Sequence, residues 1–517
     1  MTDTINHAPL RMIDTETGQL CDAARLRIVF QNDKVFGNLI ASRLGDMSTP
    51  HQDDINHDVE NFFHYVMFSH RWQGKEPLYG DVKNQSVYEY DPPKDQKDTT
   101  AKLRAFCSTA KAAGYRWAWS DTCCINQTDP HELHKSIISM FKWYHKSSLT
   151  LVYLWDVQPS KEPGGLEQSK WFTRGWTLQE LLAPPIIRFF HNDWTPYLFD
   201  PLLNHKESEG IMREITSAVG VHTNDLLSFH PSSDDVRWKL HMASKRDTTE
   251  PEDVAYCLFG IFDVDTYVRH GEGPHRAVGR LLQQIIACSK SRDVGCLAWV
   301  GESSKLNTCL PTHVEAYQGS SHTPASIREE EIRRSVSELV SSFTEQQQSQ
   351  ALALYYKLAY LRRAEFSQWQ LRLPCITFCV TSFKVDQASE ANTSVYTAKA
   401  TALEETRICT VTTPPSSGLL LVCPWIHELL DLDNVRYHRS RSSPSSHRSP
   451  SPSSSAPFDE RTRALNFVAR LKQPMTALLL SKRYDVYKRV ATDCEIVIQL
   501  CREVRLDDLT VEVVDIE

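Results

Sequence analysis

Between Trp171 and Pro185 the chain reads WFTRGWTLQELLAPP, which puts Trp171, Arg174, Trp176 and Glu180 within ten residues. Trp176 and Glu180 are four apart, so on a helix they share one face. A carboxylate beside an indole is either a charge at the edge of an active site or part of a ridge packed on a core. Pro184 and Pro185 end the helix in both cases. A second set of reactive residues lies in CCINQTDPHELH (123–134), where Cys123, Cys124, His131 and His134 are the metal-ligand types. Adjacent cysteines lack the spacing of a structural zinc site, and HELH is not HExxH, so no metal is expected. A thiol hydrolase using Cys123 or Cys124 stays open as an alternative, with His70 as the candidate base, because a Cys–His pair needs only reach in space. Gly74-Lys75 lacks the upstream glycine of a phosphate loop and is followed by Glu76, so no nucleoside-triphosphate chemistry is indicated.

The elements that must hold these groups alternate. YVMF (65–68), YRWAWS (115–120), LTLVYLWD (149–156) and IIRFF (186–190) read as short buried strands. Between them lie helical patterns over 99–115, 127–146 and 177–183. Asp129 is placed to cap the second of these, Pro130 takes its first position, and Glu132 suggests a capping box. Strands alternating with helices predict an α/β fold with a parallel sheet and helices on both faces. Several strands end in polar or aromatic residues: Ser69, His70, Arg71 and Trp72 after the first, Ser120 and Asp121 after the second, Asp156 after the third. Ligands of open α/β sheets bind outside the carboxyl ends of strands, so these residues are expected on one rim. The alternative is that each merely caps the next turn.

The rest of the chain bounds the answer. Its 517 residues carry a net charge of −8, which gives no basic surface for nucleic acid. No apolar run approaches the roughly 20 residues of a membrane span, and the first residues hold no apolar signal core, so a cytoplasmic protein with reduced thiols is expected. Five regions are anticipated: a hairpin and exposed segment (1–60), the α/β domain (61–200), a helical extension (201–310), a charged helical linker (311–365) and a β-rich C-terminal module (366–517). Within the last, HRSRSSPSSHRSPSPSSSAP (438–457) cannot bury a core and reads as a disordered insertion.

Three blocks, YVMFSHRWQGKEPL, YRWAWSDTCCINQTDPHELHKSIISMFKWYHKSSLTLVYLWDV and WFTRGWTLQELLAPPIIRFFHNDW, resemble the hallmark segments of the fungal heterokaryon-incompatibility (HET) domain. The resemblance continues through ASKRDTTEPEDVAYCLFGIFDV and HGEGPHRAVGRLLQQI. Two departures stand out: Gln73 separates Trp72 from Gly74 where Trp-Gly is common, and Arg269-His270-Gly271 stands where Tyr-Gly is common. The resemblance implies a role in non-self recognition, an innate-immunity-like function, and regulated cell death. It also implies a flavodoxin-like sheet similar to the Toll/interleukin-receptor (TIR) domain. Some TIR domains cleave NAD with the glutamate of a Trp-x-x-x-Glu segment, which places that role on Glu180. NAD would be a substrate, and no cofactor is required. Ser69, His70, Arg71, Trp72, Asp121, Arg174 and Trp176 are then the candidate NAD or rim contacts. The implied trigger is self-association through the HET domain, with an activating partner that the sequence does not identify. A non-catalytic TIR-like adaptor is the rival that the resemblance leaves open.

Overall fold

The apolar runs form a sheet whose order brings distant residues to one edge. The structure is a computed structural model that describes residues 2–44, 52–289, 293–319, 329–388, 394–415, 417–424, 460–501 and 504–517. The Ser/Pro/Arg segment 438–457 lies outside them. Two compact units are present, Met1–Pro231 with Lys245–Glu272, and Ser232–Ser244 with Gly273–Glu517.

In the first unit six strands assemble: β1 (Arg11–Asp14), β2 (Leu20–Asp22), β3 (Tyr65–His70), β4 (Trp117–Trp119), β5 (Leu149–Tyr153) and β6 (Ile187–Phe190). Their order is β2-β1-β4-β3-β5-β6. The four strands from β4 to β6 are parallel, as the alternation predicts. The hairpin β1–β2 adds to β4 antiparallel, so the expected parallel sheet is extended into a mixed one. Within the parallel set the chain steps from β3 to β4 on one side and then to β5 on the other. The order therefore reverses between β3 and β5, the switch point where α/β sheets bind ligands.

All six residues of β3 are buried, as a strand covered on both faces requires. The Phe68 ring stacks on Phe106 of the Lys97–Ala112 helix, with centroids 4.3 Å apart. Its neighbour Ser69 looks to the opposite layer, toward the Thr177–Leu182 helix. Tyr144, from the Pro130–Lys146 helix, donates its hydroxyl to the Phe68 carbonyl at 2.8 Å. That helix starts as expected, with the Asp129 carboxylate accepting from the amides of His131 and Glu132. The capping box does not form. Glu132 instead accepts from the Asn126 amide at 2.6 Å and pairs with Arg11 at 2.9 Å, a stronger, charge-assisted use of the carboxylate.

The outer edge of β6 is not left bare. The Ile187 amide donates to Asn204 Oδ1 at 3.2 Å, and the Phe189 amide donates to His205 Nδ1 at 3.1 Å. Side chains thus take the donors that another strand would otherwise use.

The second unit is β-rich. Its strands are β7 (Glu365–Ser367), β8 (Gln370–Ala388), β9 (Ser394–Ala400), β10 (Thr406–Thr410), β11 (Leu419–Pro424), β12 (Met475–Arg483), β13 (Val486–Arg489), β14 (Ile496–Ile498) and β15 (Thr510–Ile516). β8, β11, β12, β13 and β15 close on themselves, because β15 pairs with both β13 and β8. The helices Glu345–Ala359 and Glu460–Leu471 contribute Leu354, Leu358, Phe467 and Val468 to one core with Ile376, Phe378, Leu421 and Leu479. Asn307, itself buried, ties loop ends to this ring by donating to the carbonyls of Trp369 and Ile516, each at 2.8 Å.

Candidate functional site

Glu180 lies on the Thr177–Leu182 helix, facing the carboxyl end of β3. Ser69 Oγ donates to Glu180 Oε2 at 2.5 Å, and Trp171 Nε1 donates to Ser69 Oγ at 2.9 Å. The three form a directional row, indole to hydroxyl to carboxyl. It is almost shut off from water: Glu180 is 5% exposed, Ser69 0% and Trp171 1%. Burial, and after it the charge of Asp121, pushes the Glu180 carboxyl up to about 8, although Ser69, Arg174 and Arg246 oppose the shift. In this closed arrangement Glu180 is mostly protonated at neutral pH.

Trp171 is held by its own turn, Lys170–Thr173. Asp156 caps that turn, accepting from Ser169 Oγ at 2.8 Å and from the Lys170 amide at 2.7 Å. Arg71 braces it from the other side, donating to the Lys170 carbonyl at 3.3 Å and to Thr173 Oγ1 at 3.2 Å. The start of the Glu180 helix is strapped to residues 246–248. The Gly175 amide donates to the Asp247 carbonyl, and the Asp247 amide to the Thr173 carbonyl. Arg246 donates to the Arg174 carbonyl and to Thr177 Oγ1. A Cβ on Gly175 would meet Thr248 Cγ2 at 2.6 Å, so only glycine permits this approach.

A second cluster lies on the other face of β3. His70 is buried, with Nδ1 2.9 Å from Lys102 Nζ and Nε2 3.3 Å from Asp121 Oδ1. Lys102 also donates to Glu76 Oε1 at 2.5 Å. Burial holds the His70 ring neutral, and the neighbouring Lys102 acts in the same direction. Burial lowers the Lys102 pKa too, against the pull of Glu76. Asp121 Oδ2 accepts from Trp72 Nε1 at 2.7 Å. Burial opposes ionisation of Asp121, but His70, Arg174 and Trp72 outweigh it and its pKa falls. The Arg174 guanidinium sits over the Trp72 ring at 5.7 Å. Arg71, Trp72, Asp121, Arg174 and Trp176 are the partly exposed members of the set.

Of the residues singled out from sequence, Ser69 meets Glu180, and His70 and Trp72 meet Asp121. Arg71 is committed to the 170–173 turn. Trp176 and Glu180, although one turn apart, have different partners, because Trp176 Nε1 donates to Asp253 Oδ2 at 2.7 Å. Burial pushes the Asp253 carboxyl up to about 6, against that bond. Cys123 and Cys124 are buried, and the Cys123 thiol is raised by its hydrogen bond with Cys124 and then by burial. With the His70 ring turned to Lys102 and Asp121, that histidine is no thiol partner. Among the described residues no group of three or more His, Cys, Asp or Glu is arranged to hold a metal, and no helix is long and apolar enough to cross a membrane. A cavity of about 960 Å³, lined in part by Phe141, His145, Pro184 and Met212, shares no lining residue with the cluster around Glu180.

Sequence reasoning gave no site role to Trp171, Lys102, Glu76, Asp253 or Arg246. Lys102 carries a signal: it stands four before Phe106, on the apolar stripe of its helix. Arg246 and Asp253 come from a segment about seventy residues downstream, joined to the site only by the fold.

The model of the heterokaryon incompatibility protein (HET) family matches residues 65–166, which span β3, β4, β5 and the Asp121 side of the site. Residues 65–166 carry a HET domain. The matched stretch ends before Trp171, so the Glu180 helix lies beyond it. The chain is also 34% identical over 244 residues to the vegetative incompatibility protein HET-E-1 of Podospora anserina. That similarity covers 45% of this chain and 16% of the relative. No solved structure matches the chain.

Proposed function

We propose that this HET-domain protein acts in heterokaryon incompatibility, in the cytoplasm, and that it hydrolyses NAD at the Glu180 cluster when the domain self-associates. Its role in incompatibility is supported by the HET match and by the relative named for vegetative incompatibility. The hydrolase reading is carried by one observation: a Trp-x-x-x-Glu glutamate seated beside Ser69 at the switch point of a parallel sheet. Breaking the nicotinamide–ribose bond builds positive charge on the ribose, which nearby carboxylates and fixed dipoles stabilise. Nicotinamide leaves as a neutral group, so no strong acid is needed. Arg174 supplies a cation for the pyrophosphate, and Trp72 a ring to stack on. The test is nicotinamide release by the full chain at high protein concentration, beside Glu180→Ala. Release by the wild type and none by a folded variant supports the reading. No release from folded, assembled protein refutes it.

A second reading has its own support. A glutamate 5% exposed and bonded to a fully buried serine is also what a scaffold looks like. On that reading the domain is a non-catalytic module whose association with partners signals death, and a folded Glu180→Ala protein that releases no nicotinamide still kills.

A further inference from the structure

Two carboxylates flank the carboxyl end of β3, one on each face, and they are built for different work. We infer that Asp121, not Glu180, is the ionised carboxylate that faces the reacting ribose, while Glu180 serves as a neutral hydrogen-bonding acid. The inference rests on the hydrolase reading above and divides the labour within that site.

Access comes first. Asp121 is partly exposed, whereas Glu180 is buried beneath Trp171. Orientation comes second. Trp72 Nε1 fixes Oδ2 at 2.7 Å, and His70 Nε2 stands 3.3 Å from Oδ1. The Lys102 ammonium can only donate, so His70 Nδ1 accepts and the ring proton sits on Nε2, toward Asp121. Lys102 bridges Glu76 and His70 in a buried group beside this one carboxylate. That placement makes His70 a positioning residue. On the other side, Ser69 takes only Oε2 of Glu180. When Glu180 is protonated, its remaining oxygen can donate to a ribose hydroxyl.

The electrostatics agree with this geometry. Asp121 faces His70, Lys102 and Arg174, and its ionised form is favoured. Glu180 faces Asp121, Arg174, Arg246 and Tyr144, and its neutral form is favoured. Two neighbouring acids pushed in opposite directions are the pattern of divided roles.

The step balances without any other reactant. The ribose C1′–N bond breaks, and its electron pair goes to the nicotinamide nitrogen, which leaves neutral. A water oxygen bonds to C1′ while its proton passes to Asp121 and then to solvent. The products are nicotinamide, ADP-ribose and one proton.

The experiment is nicotinamide release by the full chain across about pH 3 to 9.5. Asp121→Asn should lower kcat by about 100-fold or more, with KM within about threefold. Glu180→Gln, which keeps the donor and acceptor, should stay within about tenfold of wild type and lose the decline in rate near pH 8. Trp72→Phe keeps the ring and removes the N–H, so it should shift the acid limb of the profile upward. That readout holds even where Asp121→Asn folds poorly. An active wild type with an equally active Asp121→Asn, or an acid limb unmoved by Trp72→Phe, overturns this assignment alone. A wild type that is inactive, folded and assembled overturns it together with the hydrolase reading.

Discussion

The two sheets treat polar side chains in opposite ways. In the first unit, parallel strands all end at one edge, so Ser69, Asp121 and the 170–180 segment meet although they are up to 111 residues apart. In the second, most neighbours run antiparallel, and successive carboxyl ends fall on alternate sides. Its buried polar groups serve closure instead: Asn307 clips two carbonyls, and Arg489 donates to the carbonyls of Leu297 and Trp299. Strand direction, more than composition, decides which sheet can assemble a reactive cluster.

That contrast can be broken most forcefully at Trp171. Trp171→Ala removes a buried indole and the donor to Ser69, and should cost the first unit about 3–5 kcal/mol. Urea unfolding followed by probes in each unit should show that transition move and the other stay. Asn307→Ala is the counterpart. It should cost the second unit roughly 2–3 kcal/mol through unpaired carbonyls and leave any activity at Glu180 unchanged. A drop in activity would mean that the two sheets are not separable in function.

The next effect concerns pH. The Glu180 pKa is raised in the folded state to about 8, so the fold holds this proton more tightly than the unfolded chain does. The resulting stability is complete below the unfolded value and is lost as pH rises through the folded one. Between pH 6.5 and 8.5 the loss should be roughly 2 kcal/mol, and Glu180→Gln should abolish it; chemical denaturation at several pH values measures this. The smallest effect is at Tyr484, 95% exposed in the turn between β12 and β13, with φ of 56°. Tyr484→Asn relieves a left-handed conformation and should raise the melting temperature slightly, by about 0.5–1 kcal/mol of stability.

Local sequence carried much of the first sheet. YVMF, WAWS and LVYLW are short apolar runs that stop at polar residues, and the structure places those stops at one edge. The Glu180 helix could be read from its spacing and its two prolines. What could not be read depends on contacts without local trace. The indole on Ser69 is Trp171, reached through a tight turn rather than along the helix that spacing arguments follow. Glu132 leaves its own helix for Arg11, 121 residues away. The closing of the second sheet joins Leu371 to Ile516, a pairing that neither strand announces by itself. The hairpin at the first sheet's edge was recognisable as a hairpin, but its partner β4 lies about a hundred residues on.

The covered edge of β6 has a chemical condition attached. His205 can accept the Phe189 amide only with an unprotonated ring nitrogen, and burial lowers its pKa to about 4. At ordinary pH the lone pair is therefore always available. Below about pH 4 the ring becomes a double donor, and the amide it had occupied is released to the nearest free carbonyl. In a concentrated acidic solution that carbonyl can belong to another molecule, so acid elution or acid storage is expected to promote edge-to-edge association, which light scattering at about pH 3.5 against about pH 7 would show.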